Sequence, residues 1–91
     1  MNKNDLVGAV ADAAGLSKGQ SLAVIESVFG AISDALTKGE EVRLVGFGTF
    51  HVLKRAKSTG RNPRTGAEIS IPEFKQPKFK AGKGLKDAVN R

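Results

Sequence analysis

A chain of 91 residues with five Phe, no Trp and no Tyr provides for one small domain with a thin core. It has no cysteine, which excludes disulfides and zinc–thiolate sites, and no apolar run near the roughly 18 residues of a membrane span. Its net charge of +6 is lopsided: residues 1–41 hold three Lys against six acids, and residues 42–91 hold twelve Lys and Arg against three acids. An acidic scaffold followed by a basic half points to a polyanion as partner. The N-terminus leads into an amphipathic run interrupted by Asp12 and not into a secretory signal, so the expectation is a soluble intracellular protein.

Asn2 is a natural N-cap, with Asp5 in the first turn, and Leu6, Val7, Val10 and Ala14 follow at helical spacing up to Gly15. The pattern predicts a first helix over 3–14. Ser17 and Gln20 form a capping box for a second helix running to Lys38, stopped by Gly39. Its spine is Leu22, Ile25, Phe29, Ile32 and Leu36, flanked by Val24, Val28, Ala31 and Ala35. That apolar arc is wider than one buried stripe requires. One part is expected to face the first helix and the other a second subunit; the alternative is a helix sandwiched between its own neighbours. The helix–turn–helix reading is disfavoured because this second helix turns apolar after Lys18, Gln20 and Ser21, where a recognition helix needs base-reading side chains.

Residues 41–45 alternate as a short strand, and Gly46-Phe47-Gly48 predicts a tight turn with the Phe47 ring in the core. Residues 49–53 form the next strand; His51, the only histidine, reads as an ordinary strand side chain. From Lys57 to Gly66 there is no large apolar side chain, and Lys57, Arg61 and Arg64 occur with no acid among them. Asn62-Pro63-Arg64-Thr65-Gly66 has turn chemistry. The segment 54–74 therefore reads as a cationic β-ribbon arm, reaching roughly 20–24 Å with six or seven residues per strand. The return strand from Glu68 is interrupted by Pro72 and Pro77, as on an edge or at a bend, and Phe74 and Phe79 are expected to anchor the arm to the body. Leu85, Ala88 and Val89 give one apolar face to a short C-terminal helix. The fold class is α+β: two N-terminal helices, a three-stranded antiparallel sheet extended into the ribbon, and the last helix. Residues 1–91 are expected to be a single domain, with body 1–53 and 75–91. No catalytic set, metal-ligand cluster or nucleotide loop stands out, so neither an enzyme nor a cofactor is expected.

Gly46-Phe47-Gly48-Thr49-Phe50, Arg55, the run Thr59 to Gly66, and Phe79-Lys80-Ala81-Gly82-Lys83 resemble the bacterial histone-like HU/IHF family, closest to HU, over essentially the whole chain. The resemblance implies an intertwined dimer, a homodimer with a heterodimer as the alternative, whose two arms embrace the minor groove of double-stranded DNA. Leu22, Ile25, Val28, Phe29, Ile32, Leu36, Phe47, Phe50 and Phe79 would form the dimer interface. Pro63 would be a wedge between base pairs, flanked by Arg61, Asn62 and Arg64. Arg55, Lys57 and Lys75 lie on or beside the arm, Lys80, Lys83 and Lys86 on the saddle between the arms, and Lys3 on the flank. The chain departs from the family pattern at Ser58, where a basic residue is common, at Lys80, where Arg is frequent, and in the proline-rich run from Pro72 to Pro77. The implied function is weakly sequence-selective binding, with preference for flexible, nicked or bent DNA, in the bacterial nucleoid within the cytoplasm. Two alternatives remain: a sequence-specific relative of the IHF type, and a module whose basic arm docks an acidic protein.

Overall fold

The computed structural model describes every residue, Met1–Arg91. In chain order the elements are α1 (Lys3–Ala14), α2 (Lys18–Thr37), β1 (Val42–Leu44), β2 (Gly48–Arg55), β3 (Ser58–Arg61), β4 (Glu68–Ile71), β5 (Phe74–Ala81) and α3 (Lys83–Val89). They gather into two compact units, Met1–Asp34 and Ala35–Arg91.

In the first unit, both helices start where side chains satisfy their free N–H groups. Asn2 Oδ1 accepts from the Asp5 N–H at 2.9 Å, and Asp5 Oδ2 accepts from the Asn2 N–H at 3.0 Å. Ser17 and Gln20 make the same reciprocal pair at 3.1 Å each. Each cap is worth about 0.5–2 kcal/mol. Between them Gly15 adopts the left-handed conformation, φ +68°, and closes α1 by donating to the Ala11 carbonyl. The two helices form a hairpin in which Lys3 of α1 reaches Glu26 of α2 at 2.7 Å. Val7 and Ala11 on α1 and Ser21 and Ile25 on α2 are its buried residues, and Ser21 Oγ donates to the Ser17 carbonyl at 2.9 Å. Those three apolar side chains are the whole buried apolar core of the chain. Leu22, Val24, Val28 and Phe29 stay exposed along α2, so the reading of a helix sandwiched within its own chain does not hold.

At the start of the second unit α2 ends at Thr37, one residue earlier than the spacing predicts, and Gly39 follows with φ +80°. The sheet is antiparallel with order β1-β2-β5, and β3-β4 form a separate two-stranded ladder. β1 is shorter than the alternation of 41–45 suggests, because Gly46, φ +84°, already turns the chain and Phe47 N–H bonds the Leu44 carbonyl at 2.9 Å. β2 is longer than expected, since its partner β5 continues to Phe74 opposite Arg55. Pro77 sits opposite Val52 on the edge strand, where its missing N–H faces no neighbour. The Phe79 ring lies 4.7 Å from Phe50 and 5.5 Å from Phe47 between centroids.

Within one chain two rings are less covered than the sequence suggests: Phe47 is 48 % exposed and Phe74 46 %. Of the apolar face of the C-terminal helix only Leu85 is partly covered, while Ala88 and Val89 are exposed. α3 approaches the β1–β2 turn so closely that a Cβ on Gly84 would lie 2.7 Å from the Gly46 carbonyl oxygen.

Candidate nucleic-acid interface

Strand register sorts the basic residues. Val42 pairs with Phe50, and Phe50 with Phe79; Leu44 pairs with Gly48, and Val52 with Pro77. These positions share one face of the sheet, and it is apolar. The opposite face takes the alternate residues: Arg43 and Lys80 on either side of Thr49, Lys78 opposite His51, Gln76 opposite Leu53, and Phe74 opposite Arg55. That second face gathers Arg43, Arg55, Lys78 and Lys80. Arg55 Nε donates to Gln76 Oε1 at 3.4 Å, which steadies the guanidinium on it. Glu41 stands at its margin, 3.9 Å from Arg43.

Of the residues the sequence marks, Arg55 and Lys80 fall on this cationic face. Lys75 does not: it registers opposite Lys54 on the other face, at the end of the apolar side. Sequence reasoning missed Arg43 and Lys78. Strict alternation from Lys80 and Arg55 would have found Lys78, but Arg43 needed the β1–β2 register. Lys83 and Lys86 are exposed on α3. Lys3 belongs to the first unit, and in the free chain its ammonium is held by Glu26.

The arm is a ladder of four pairs, Ser58↔Ile71 to Arg61↔Glu68, shorter than a continuous ribbon of six or seven. Ala56 and Lys57 on one strand and Pro72 and Glu73 on the other lie outside both ladders. Lys54 and Glu73 form an exposed ion pair at 2.9 Å beside this break. Along β3–β4 one face carries Ser58, Gly60, Ile69 and Ile71, and the other Thr59, Arg61, Glu68 and Ser70. Arg61 therefore has an acid directly across the ladder.

The tip is a closed loop. Asn62 N–H bonds the Ala67 carbonyl at 2.9 Å and Gly66 N–H the Asn62 carbonyl at 2.8 Å. Asn62 Oδ1 accepts from the Arg64 N–H at 2.9 Å, and Thr65 Oγ1 accepts from the Ala67 N–H at 3.3 Å. Gly66 takes φ +70° to complete the turn. Pro63 and Arg64 are left exposed at the apex. The side-chain oxygen of Asn62, a residue expected to flank the wedge, is committed to shaping the loop.

The geometry is that of a polyanion-binding surface: fixed cations on one sheet face, followed by an arm ending in a proline. No helix is long and apolar enough to cross a membrane. A family model described as bacterial DNA-binding protein matches residues 1–90. The chain is 59 % identical over 90 residues to the DNA-binding protein HRm of Rhizobium meliloti (strain 1021), covering 99 % of this chain and 100 % of that relative. It is 55 % identical over 89 residues to the DNA-binding protein HU of Staphylococcus aureus (strain COL), covering 98 % and 99 %. Among solved structures, the Anabaena HU–DNA cocrystal structure matches with a TM-score of 0.92 at 42 % identity, covering 98 % of this chain and 97 % of that one.

Proposed function

The chain belongs to the bacterial DNA-binding protein family of the HU type, a family of DNA-binding proteins and not of enzymes, and from that membership we propose that it bends and compacts DNA as a dimer. It binds double-stranded DNA with little sequence selectivity and prefers flexible, nicked or already bent duplexes. Its setting is the nucleoid in the bacterial cytoplasm, which it condenses and stabilises.

The observation that carries this reading is the continuity from the cationic face, Arg43, Arg55, Lys78 and Lys80, through Lys57 to the exposed Pro63 at the arm tip. Lysines and arginines on phosphates release counterions and give affinity without sequence. The saddle cations Lys83 and Lys86 extend the footprint, and Lys3 joins it by exchanging Glu26 for a phosphate. Pro63, flanked by Arg61 and Arg64, enters the minor groove and partly unstacks a base step. For minor-groove architectural proteins, of which the HU type is a standard example, unstacking costs about a few kcal/mol per step and is offset by the longer wrapped contact. The Asn62 carboxamide oxygen is held by the Arg64 N–H and not presented for a bidentate contact with a base edge, which supports weak selectivity.

Dimerisation rests on the apolar surface one chain leaves open. Phe29, Phe47 and Phe79 are each more than 40 % exposed, and only Val7, Ala11 and Ile25 are buried among the apolar residues. A second copy covering Leu22, Val28, Phe29, Phe47 and Phe79 supplies the missing core. Ile32, Leu36 and Phe50, partly covered already, lie at its margin, while Ile25 has little surface left to offer.

The test is end-to-end energy transfer on a nicked duplex, wild type against Pro63→Ala, at two salt concentrations. The expected result is a bent duplex with wild type and a smaller bend with the variant at saturation. Binding without a bend in either protein would overturn the architectural reading. A strong consensus from random-sequence competition would replace it with sequence-specific binding.

A further inference from the structure

His51 is the only histidine in the chain, and it sits at the middle of the cationic face. Lys78 is directly opposite it on β5. On its own strand Thr49 and Leu53 are its neighbours on that face, and Arg55 follows Leu53. Lys80 and Arg43 stand on either side of Thr49, on β5 and β1. The one carboxylate bordering this face is Glu41, which lies 3.9 Å from Arg43. Glu73 is paired with Lys54 at 2.9 Å, and Lys54 belongs to the opposite face. The side chain of His51 is only partly covered, so a ligand laid on the sheet reaches it.

We propose that His51 is a proton-linked DNA contact, its imidazole taking up a proton from solvent as the duplex settles on this face. The inference rests on the DNA-binding reading of the face. The surface already carries the fixed cations Arg43, Arg55, Lys78 and Lys80. A proton on His51 adds another positive charge directly across the ladder from Lys78, and like charges placed so are unfavourable. A duplex supplies about one negative charge per 1.7 Å of axis, which compensates that charge. The charged imidazole then offers two N–H donors to phosphate oxygens, where the neutral ring offers one. A proton taken up together with the duplex makes affinity rise as pH falls through the imidazole range. Each imidazole contributes at most about tenfold in affinity per pH unit. A dimer presents two such faces, so the effects of the pair multiply.

The test uses the full-length protein and a rhodamine-labelled nicked duplex at constant ionic strength. Anisotropy titrations at about pH 7.5 and about pH 6 should show wild type binding about three- to tenfold tighter at the lower pH. His51→Gln should bind with the same affinity at both. His51→Lys should also be independent of pH and bind at least as tightly as wild type at the lower pH. Calorimetry in two buffers of different ionisation heat should count proton uptake in wild type and none in His51→Gln. That readout does not move if the residue merely supports the strand. Equal uptake in wild type and His51→Gln, or the same pH profile in both, overturns the proposal while leaving DNA binding intact. Failure of all three proteins to bind at either pH would instead overturn the DNA-binding reading on which it rests.

Discussion

Replacing Gly48 by Ala should destabilise the fold far more than one methyl normally does. Gly48 is buried at the start of β2. A Cβ there would lie 2.6 Å from Phe79 Cε1, closer still to its Cζ, and 2.7 Å from the Lys80 carbonyl oxygen. Carbon atoms are at ease at about 3.5–4.0 Å, so the overlap with the ring is close to an ångström. The ring cannot swing clear without leaving Phe50, 4.7 Å away, and Phe47, 5.5 Å away. The carbonyl cannot yield without drawing β5 off β2 at the Gly48↔Ala81 and Thr49↔Lys80 pairs. Overpacking of this kind costs about 1–3 kcal/mol, and the rigid neighbours place it at the upper end. At about 4–8 °C per kcal/mol for a domain of this size, Tm should fall by about 10–20 °C. Gly8→Ala is the contrasting control: nothing lies within 4 Å of its added Cβ, and it is inside α1. It should gain about 0.5–1 kcal/mol from helix propensity. Thermal unfolding followed by far-UV circular dichroism should be run at matched chain concentration, because association ties Tm to concentration. A Gly48→Ala protein melting within about 2 °C of wild type would refute the close-packing argument.

The two faces of the sheet make a paired prediction. Lys80→Gln should reduce the slope of log affinity against log salt by about 0.9 for each phosphate the side chain had neutralised, whereas Lys75→Gln, on the other face, should change it much less; equal slopes would contradict the register-based assignment. Asn62→Ala removes the acceptor for the Arg64 N–H and should reduce DNA bending with Pro63 intact, measured by the same energy-transfer assay. The Lys54–Glu73 pair is more than half exposed at both ends. Glu73→Gln should therefore shift the unfolding free energy by less than about 0.5 kcal/mol in denaturant titrations.

The helical half was legible because its signals are local. Asn2, Asp5, Ser17 and Gln20 satisfy N–H groups within three residues of themselves, and Gly15 and Gly39 end helices by their own backbone freedom. Pro77 on the edge strand was equally readable, since a missing N–H is a property of the residue. The partition of the basic residues was not. Lys75 differs from Lys78 and Lys80 only in parity along β5, and parity acquires a direction only once β5 is paired with β2. The fate of the phenylalanines was also out of reach. Phe47 and Phe74 look like core residues by type, and only their partners decide whether they are covered.

The break between the two ladders bears on how the arm meets its target. Ala56 and Lys57 face no ladder partner, nor do Pro72 and Glu73 at the same level, so bending there disrupts no strand pairing. The crease acts as a compliant joint: the four-pair hairpin keeps its own hydrogen bonds while its angle to the sheet adjusts. Pro72 limits that freedom on one side, because its ring fixes φ. On the proposed contact between arm and duplex, one chain follows duplexes of different local curvature by rotating a preformed finger, without remaking it each time. The ordering entropy lost on binding is confined to a few torsions, about 1–2 kcal/mol for each residue immobilised, and not to the whole arm. A stiffer crease would sharpen preference for one curvature, and a looser one would broaden tolerance at the expense of affinity.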